Sequence, residues 1–249
     1  MPCEAPVRIR ILPLSGDKVG KGDDITGPVK RRSGHNGDMP RLLPLFPLQL
    51  VVLPGNLVPL HIFEPRYREM VGKAEASGSE FGIVLAQGEG IVNVGCTVVV
   101  ESIPQRYEDG RFDVIVRGLR RFRLLAVDDQ QECLRGEVEY FDDEDLRPAA
   151  PEYRTSALRA CLEVHAALAD GTPWPEAELA DPELSFRLAQ IFRDLEFQDA
   201  MLRERSETAR LELIIATAPR YVEKSEYVEK MKHKAGTNGH GHGHKPKGV

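Results

Sequence analysis

The chain has 249 residues, of which 41% are hydrophobic and 29% charged, and its formal net charge is -6. That size and balance suit one domain or two small ones with a genuine apolar core, and the negative charge argues against a dedicated nucleic-acid binder. The four cysteines, Cys3, Cys96, Cys133 and Cys161, include no C-x-x-C pair. No zinc knuckle or redox motif is therefore expected, and the scattered cysteines fit a reducing cytosol.

Residues 1–38 are rich in Gly, Asp, Lys and Arg and end in "KRRSGHNGD". They read as a disordered N-terminal extension. Within them "GDKVGKGDD", Gly16 to Asp24, imitates a phosphate loop. The first glycine stands one residue too close, and Gly22 occupies the place of the Ser or Thr that would bind magnesium. Met39 stands at the junction with the patterned sequence, so we expect translation to start there.

The stretch "LPLFPLQLVVLPGNLVPLHIFEPRYREMV", Leu43 to Val71, opens that patterned region. It is apolar, yet Pro44, Pro47, Pro54 and Pro59 interrupt it. A membrane-spanning helix needs roughly 20 apolar residues in register, so no membrane span is expected. Short strands with a turn at Pro54-Gly55 remain. Phe63, at the end of an apolar strand, is expected in the core. Pro65 in the first turn and Gly78 at the end bound one helix.

"FGIVLA" and "TVVVESI" read as buried strands. "RFDVIVRG" puts Phe112, Val114 and Val116 on one face, and "RRFRLLAV" repeats the pattern with Phe122, Leu124 and Ala126. Glu108-Asp109-Gly110 is a hairpin turn. "GEVEYF" adds another strand. Short, turn-punctuated strands of this kind suggest a small barrel or folded sheet.

After Arg147 the period becomes helical. Leu158, Cys161, Leu162, His165 and Leu168 share one expected face. Asp181 with Pro182 starts another helix, and Ser206 caps a long one. These helices read as a bundle of three or four. The Gly/His tail "KAGTNGHGHGHKPKGV" reads as disordered; its triplet His240, His242 and His244 has no preorganised metal geometry.

Catalytic patterns are missing from the sequence: there is no G-x-S-x-G elbow and no H-E-x-x-H pair. His61 and Glu64 stand three apart, but a structural role is favoured, with Glu64 pairing an arginine or capping the helix. Arg117, Arg120, Arg121 and Arg123 cluster around an expected turn; a solvated strand face is favoured over a phosphate or RNA site. We expect no cofactor and no metal.

The opening stretch resembles the start of the Lon protease N-terminal (substrate-recognition) domain. It is similar also to the Lon-like domain of cereblon and to stand-alone bacterial proteins of this type. The resemblance rests on Phe46 and Pro47 in the Pro-Leu-Phe-Pro-Leu run, on Pro54-Gly55, and on the segment carrying His61, Phe63, Glu64, Arg66 and Tyr67. It continues through "FGIVL", "VGCTVVVESI" and the hairpin pattern holding Arg117, Gly118, Arg121 and Phe122, and more weakly through the helices to about Val222.

The resemblance implies an α+β chain: a PUA-like β domain over 39–147, a helical bundle over 148–231, and a tail over 232–249. It also implies a binding or adaptor module for polypeptide segments or a protein partner, in the cytoplasm, without ATPase or protease activity. In Lon that region recognises unfolded or damaged substrates and aids assembly of the hexamer. RNA binding through a PUA-like fold, and an unrecognised hydrolase, remain alternatives.

Overall fold

The computed structural model of the protein describes residues 10–12, 42–168, 171, 173–175 and 177–237. Its strands are β1 (Arg10–Leu12), β2 (Leu43–Leu48), β3 (Leu57–Ile62), β4 (Phe81–Gln87), β5 (Gly90–Arg106), β6 (Phe112–Asp128) and β7 (Arg135–Tyr140). Its helices are α1 (Pro65–Ser77), α2 (Pro151–Leu168), α3 (Leu184–Leu188), α4 (Leu195–Arg203) and α5 (Glu207–Thr237), with a 3-10 turn at Ala189–Ile191. They divide into two compact units. One holds the described residues up to Leu146 together with Phe192–Ser206; the other holds Arg147–Ile191 and the chain from Glu207 onward.

The first unit is a mixed sheet in the order β1-β5-β4-β2-β7-β6-β3, and β5 also pairs with β6. Five strands, β5-β4-β2-β7-β6, therefore return on themselves. Between β2 and β7 only two register pairs form, Leu43↔Gly136 and Pro44↔Arg135. Pro44 and Pro47 supply no amide donor, so the ladder there is short and the barrel is not strictly closed. The centre of this unit is a cluster of Leu43, Leu45, Val84, Ile91, Phe122, Leu124 and Leu134.

The expected local signals are present. Pro54 and Gly55 (φ 73°) form a turn in which Asn56 N donates to Leu53 O at 3.1 Å. Proline at the second position and a positive φ at the third define a type II turn. Helix α1 begins at Pro65 and ends at Gly78 in the left-handed conformation; it buries Tyr67, Met70, Val71 and Ala74, one side of the helix. The hairpin turn at 108–110 joins β5 to β6.

Four expectations need correction. The two strands read at 111–118 and 120–127 are one continuous strand, β6, so Arg117 to Arg123 surround no turn. The register of β6 against β5 shifts instead at three irregularities, one with its extra residue on β6 between Gly118 and Arg121 and two with it on β5, which bend the pair without breaking it. Residues 1–38 are not wholly without structure, because Arg10–Leu12 pairs in parallel with Gly90–Val92, a pairing that a chain started at Met39 would lack. The boundary at 147/148 does not separate sheet from helices cleanly, because α4 belongs with the sheet: Arg121 on β6 donates to Leu202 O (3.3 Å) and Glu204 O (2.6 Å) at the end of α4. Lastly, α5 runs past residue 231 to Thr237. The phosphate-loop imitation, Met39 and the triplet His240, His242 and His244 lie outside the described residues.

In the second unit the core takes Ala157, Cys161 and Val164 from α2, with Leu184, Phe186 and Leu188 from α3 and Leu211, Ile214 and Ala218 from α5. Leu162, expected inside, is exposed; Val164 takes the buried position at the i+3 spacing from Cys161. His165 is a boundary residue, edge-on to Trp174 at 5.3 Å. Asp181 does not cap α3, whose N-cap is Glu183; its side chain accepts from Glu183 N at 2.8 Å in the turn before. A buried polar knot joins α3 to α5. Glu207 accepts from Ser185 N (2.9 Å), Ser185 Oγ (2.6 Å) and Arg210 (2.9 Å), and Arg210 also donates to Ser185 Oγ at 2.8 Å. None of the described helices is long and apolar enough to cross a membrane.

Candidate functional site

An edge strand normally turns polar side chains to water. Among the described residues strand β3 pairs only with β6, and it has the burial pattern exposed, half-buried, exposed, half-buried, exposed, buried. Its outward row is Leu57, Pro59 and His61, and Phe63 continues the same parity beyond the strand. Leu57 is 58% exposed and Phe63 59%. Phe63 is thus not a core residue, as the sequence suggested. Ile62 fills the core position, 1% exposed, and the period of two then sends Phe63 out.

Across the sheet, Leu57, Pro59 and His61 stand opposite Arg117, Ile115 and Asp113 of β6. His61 Nδ1 lies 2.6 Å from Asp113 Oδ1, and the Tyr107 hydroxyl donates to Asp113 Oδ2 at 2.9 Å. Both carboxylate oxygens are thereby used. The hydrogen bond from His61, and then that from Tyr107, hold the Asp113 carboxyl below the usual carboxylate range. The same bond is the main cause that pushes the Tyr107 phenol up. The His61 ring stacks on Phe63 at a centroid distance of 6.2 Å and meets Tyr107 edge-on at 5.7 Å. Arg117 pairs with Glu101 at the other end of the row.

This arrangement is an apolar and aromatic strip, Leu57-Pro59-Phe63-Tyr107, with a fixed His-Asp pair between its members and an ion pair at one margin. It suits contact with apolar side chains, with polar anchors to orient them.

The remaining sequence candidates lie away from this strip. Phe46 is buried and stacks on Tyr67 at 4.1 Å; Arg66 covers the other part of that ring at 4.6 Å and pairs with Glu64 at 2.8 Å. Glu64 makes no side-chain cap bond, so its partner is Arg66 and not the helix end. With His61 committed to Asp113 and Glu64 to Arg66, the two do not converge on a common ligand. Pro47 lies in β2 against Val84 of β4. Pro54 is buried in its turn, and that turn rests on Gly118: Gly55 N donates to Gly118 O at 2.9 Å, and Gly118 N to Asn56 O at 3.0 Å.

The arginine cluster does not form a cationic patch. Arg117 meets Glu101, Arg120 meets Glu80 at 3.0 Å and covers Tyr140, and Arg121 is buried against Asp143. Among the described residues no group of three or more His, Cys, Asp or Glu side chains converges as a metal site would. A cleft of about 380 Å³ beside α1 is lined by Arg66, Lys73 and Arg135 but equally by Glu69, Glu80 and Glu132, so it selects no ligand charge.

Of this strip the sequence singles out His61 and Phe63, whereas Leu57, Tyr107 and Asp113 join it only through the fold. Asp113 stands 52 residues from His61, and only the β3–β6 register brings them together. The available signal was the spacing Leu57, Pro59, His61, Phe63, an apolar row alternating with a second apolar row.

The chain matches the family model described as the ATP-dependent protease La (LON) substrate-binding domain over residues 42–224. It is 28% identical over 103 residues to Lon protease 1 of Hydrogenovibrio crunogenus, a match covering 39% of this chain and only 13% of that protein. The Lon N-terminal domain protein of Xanthomonas campestris superposes with a TM-score of 0.56 at 28% identity, covering 70% of this chain and 97% of the other. The N-terminal domain of Mycobacterium avium complex Lon protease has the same fold, with a TM-score of 0.53 at 19% identity, covering 72% and 98%. By sequence and by fold, the chain belongs to the family of Lon substrate-binding domains.

Proposed function

We propose that this protein is a polypeptide-recognition module that holds apolar side chains of an extended or unfolded segment on the outer strip Leu57-Pro59-Phe63-Tyr107. The observation that carries the reading is Phe63, a large aromatic 59% exposed just beyond an edge strand and flanked by a fixed His61–Asp113 pair. Exposed aromatic residues beside anchored polar groups are the composition of binding hot spots. The module acts by binding alone, as an adaptor, with no ATPase or protease step of its own.

The test uses fluorescein-labelled, reduced and carboxymethylated α-lactalbumin as an unfolded probe. Phe63 covered on binding is worth about 1–2 kcal/mol, or roughly 5- to 30-fold in affinity. Phe63→Ala is expected to weaken binding by that factor while shifting stability by no more than about 0.5 kcal/mol, as for an exposed position. Unchanged affinity overturns the assignment of the strip. Binding that collapses steeply with added salt favours phosphate contacts and hence RNA. Hydrolysis of ATP or degradation of casein by the purified protein overturns the reading of a module without chemistry.

A further inference from the structure

Strand β5 has two neighbours on one side, used in succession. From Val94 to Arg106 that side is taken by β6, from Val94↔Arg123 to Arg106↔Phe112. The first three residues, Gly90–Val92, are taken by β1. On its far side β5 stays on β4, with Gln87↔Gly90 and Ala86↔Ile91. Strand β6 meanwhile leaves β5 after Arg123 and continues along β7 to Asp128↔Arg135. Beyond Val94↔Arg123 the two long strands make no further register pair, so β5 and β6 splay apart. The splay leaves the backbone groups of Gly90–Val92 open on one side, and an unpaired edge accepts any extended chain that can reach it.

The chain's own Arg10–Leu12 sits there, in register Arg10↔Gly90, Ile11↔Ile91 and Leu12↔Val92. We infer that the splay between β5 and β6 is a strand-acceptor slot for extended polypeptide, and that the N-terminal segment at Arg10–Leu12 is its tethered occupant, displaced when a polypeptide ligand adds in the same parallel sense. This rests on the reading that the protein recognises polypeptide and gives that reading a second, backbone-mediated site. The segment is short and lies 30 residues before Leu42, the start of the continuous described sheet region. Three parallel pairs hold it, which is a modest grip. A tether of this kind presents its end at an effective concentration of about millimolar. Such an occupant blocks weak ligands and yields to strong ones.

The test uses the full chain and a fluorescein-labelled synthetic peptide of residues 7–14, VRIRILPL. In the double variant Arg10→Pro/Ile11→Pro one of the two lost amides must face β5, because successive amides of a strand point to opposite sides. The cis segment can then no longer compete, and the variant is expected to bind the peptide about tenfold tighter than wild type. Hydrogen exchange supplies the second measurement: amides of Gly90–Val92 exchange faster in the variant, and added peptide slows them again. Equal peptide affinity of the two proteins overturns the proposal, as does unchanged exchange at Gly90–Val92 in the variant. The Phe63→Ala measurement is independent of both. Loss of the strip with a working slot, or the reverse, therefore separates the two claims.

Discussion

Gly118→Ala probes the contact on which the opening turn rests. A Cβ built at Gly118 stands 2.2 Å from Leu53 O and 2.9 Å from Val52 Cγ1. The first is more than about 1 Å short of ordinary contact, and that nearest atom is a backbone oxygen and not a flexible side-chain end. The turn must lift or β6 must bend. Either movement strains the two bonds between Gly118 and the turn, Gly55 N to Gly118 O at 2.9 Å and Gly118 N to Asn56 O at 3.0 Å. Overpacking costs about 1–3 kcal/mol, and each weakened bond costs up to about 1 kcal/mol more. Gly118 is not in the left-handed region. Alanine therefore loses nothing in φ, and its entropic gain in the unfolded chain returns at most about 1 kcal/mol. The net expectation is a loss of about 3 kcal/mol, or roughly 6–12 °C in Tm for a unit of this size. Thermal melts followed by near-UV circular dichroism measure it. A variant within 2 °C (~0.5 kcal/mol) of wild type would falsify the argument that close approach, and not backbone freedom, demands glycine here.

Arg121→Leu is expected to lower stability by about 3–5 kcal/mol in urea titrations, because it removes the buried ion pair with Asp143 and two bonds to carbonyls at the end of α4; a midpoint equal to wild type refutes the tie between β6 and α4. Glu207→Gln removes the carboxylate that pairs with the buried Arg210 guanidinium, 1% exposed, and is expected to cost about 3 kcal/mol, against about 1–2 for Ser185→Ala; far-UV melts in which the two variants coincide contradict that ranking. The Asp113 carboxyl titrates below its reference value of 3.8, chiefly through His61. Its folded pKa is depressed, so its contribution is present above pH 3.8 and lost as the pH falls through the folded value. Wild-type Tm should accordingly fall more steeply with acid below pH 3.8 than that of Asp113→Asn, and superimposable profiles exclude the His61–Asp113 bond as the cause.

Local signals were legible wherever one residue type answers one backbone need. Pro54-Gly55, Pro65, Gly78 and the 108–110 hairpin sit where their sequences put them, since proline and glycine constrain φ without reference to the rest of the chain. The outward strip was not legible. Both rows of β3 are apolar, so alternation alone cannot say which of Ile62 and Phe63 faces the core. Arg121 misled for a related reason. In a run of four arginines it reads as solvated, and only α4, some 80 residues later, makes it a buried donor. The same long-range contact moves α4 out of the bundle that its own periodicity suggested.

Two strand edges of this sheet, along β3 and at the start of β5, are protected differently, and the difference bears on how each could bind. Strand β3 carries Pro59 in the middle of its free edge. A proline cannot donate to an added strand, so β3 resists pairing with another chain while its outward side chains stay available. Recognition of the kind proposed would proceed there through side-chain contact and tolerate many sequences, as apolar contacts do. The first residues of β5 contain no proline; Gly90, Ile91 and Val92 all retain their amides. That edge is covered by a strand of the chain itself. A ligand that displaces it gains backbone pairing, which is indifferent to sequence but demands an extended chain. An unfolded polypeptide meets both requirements at once, whereas a folded protein presenting one apolar patch meets only the first.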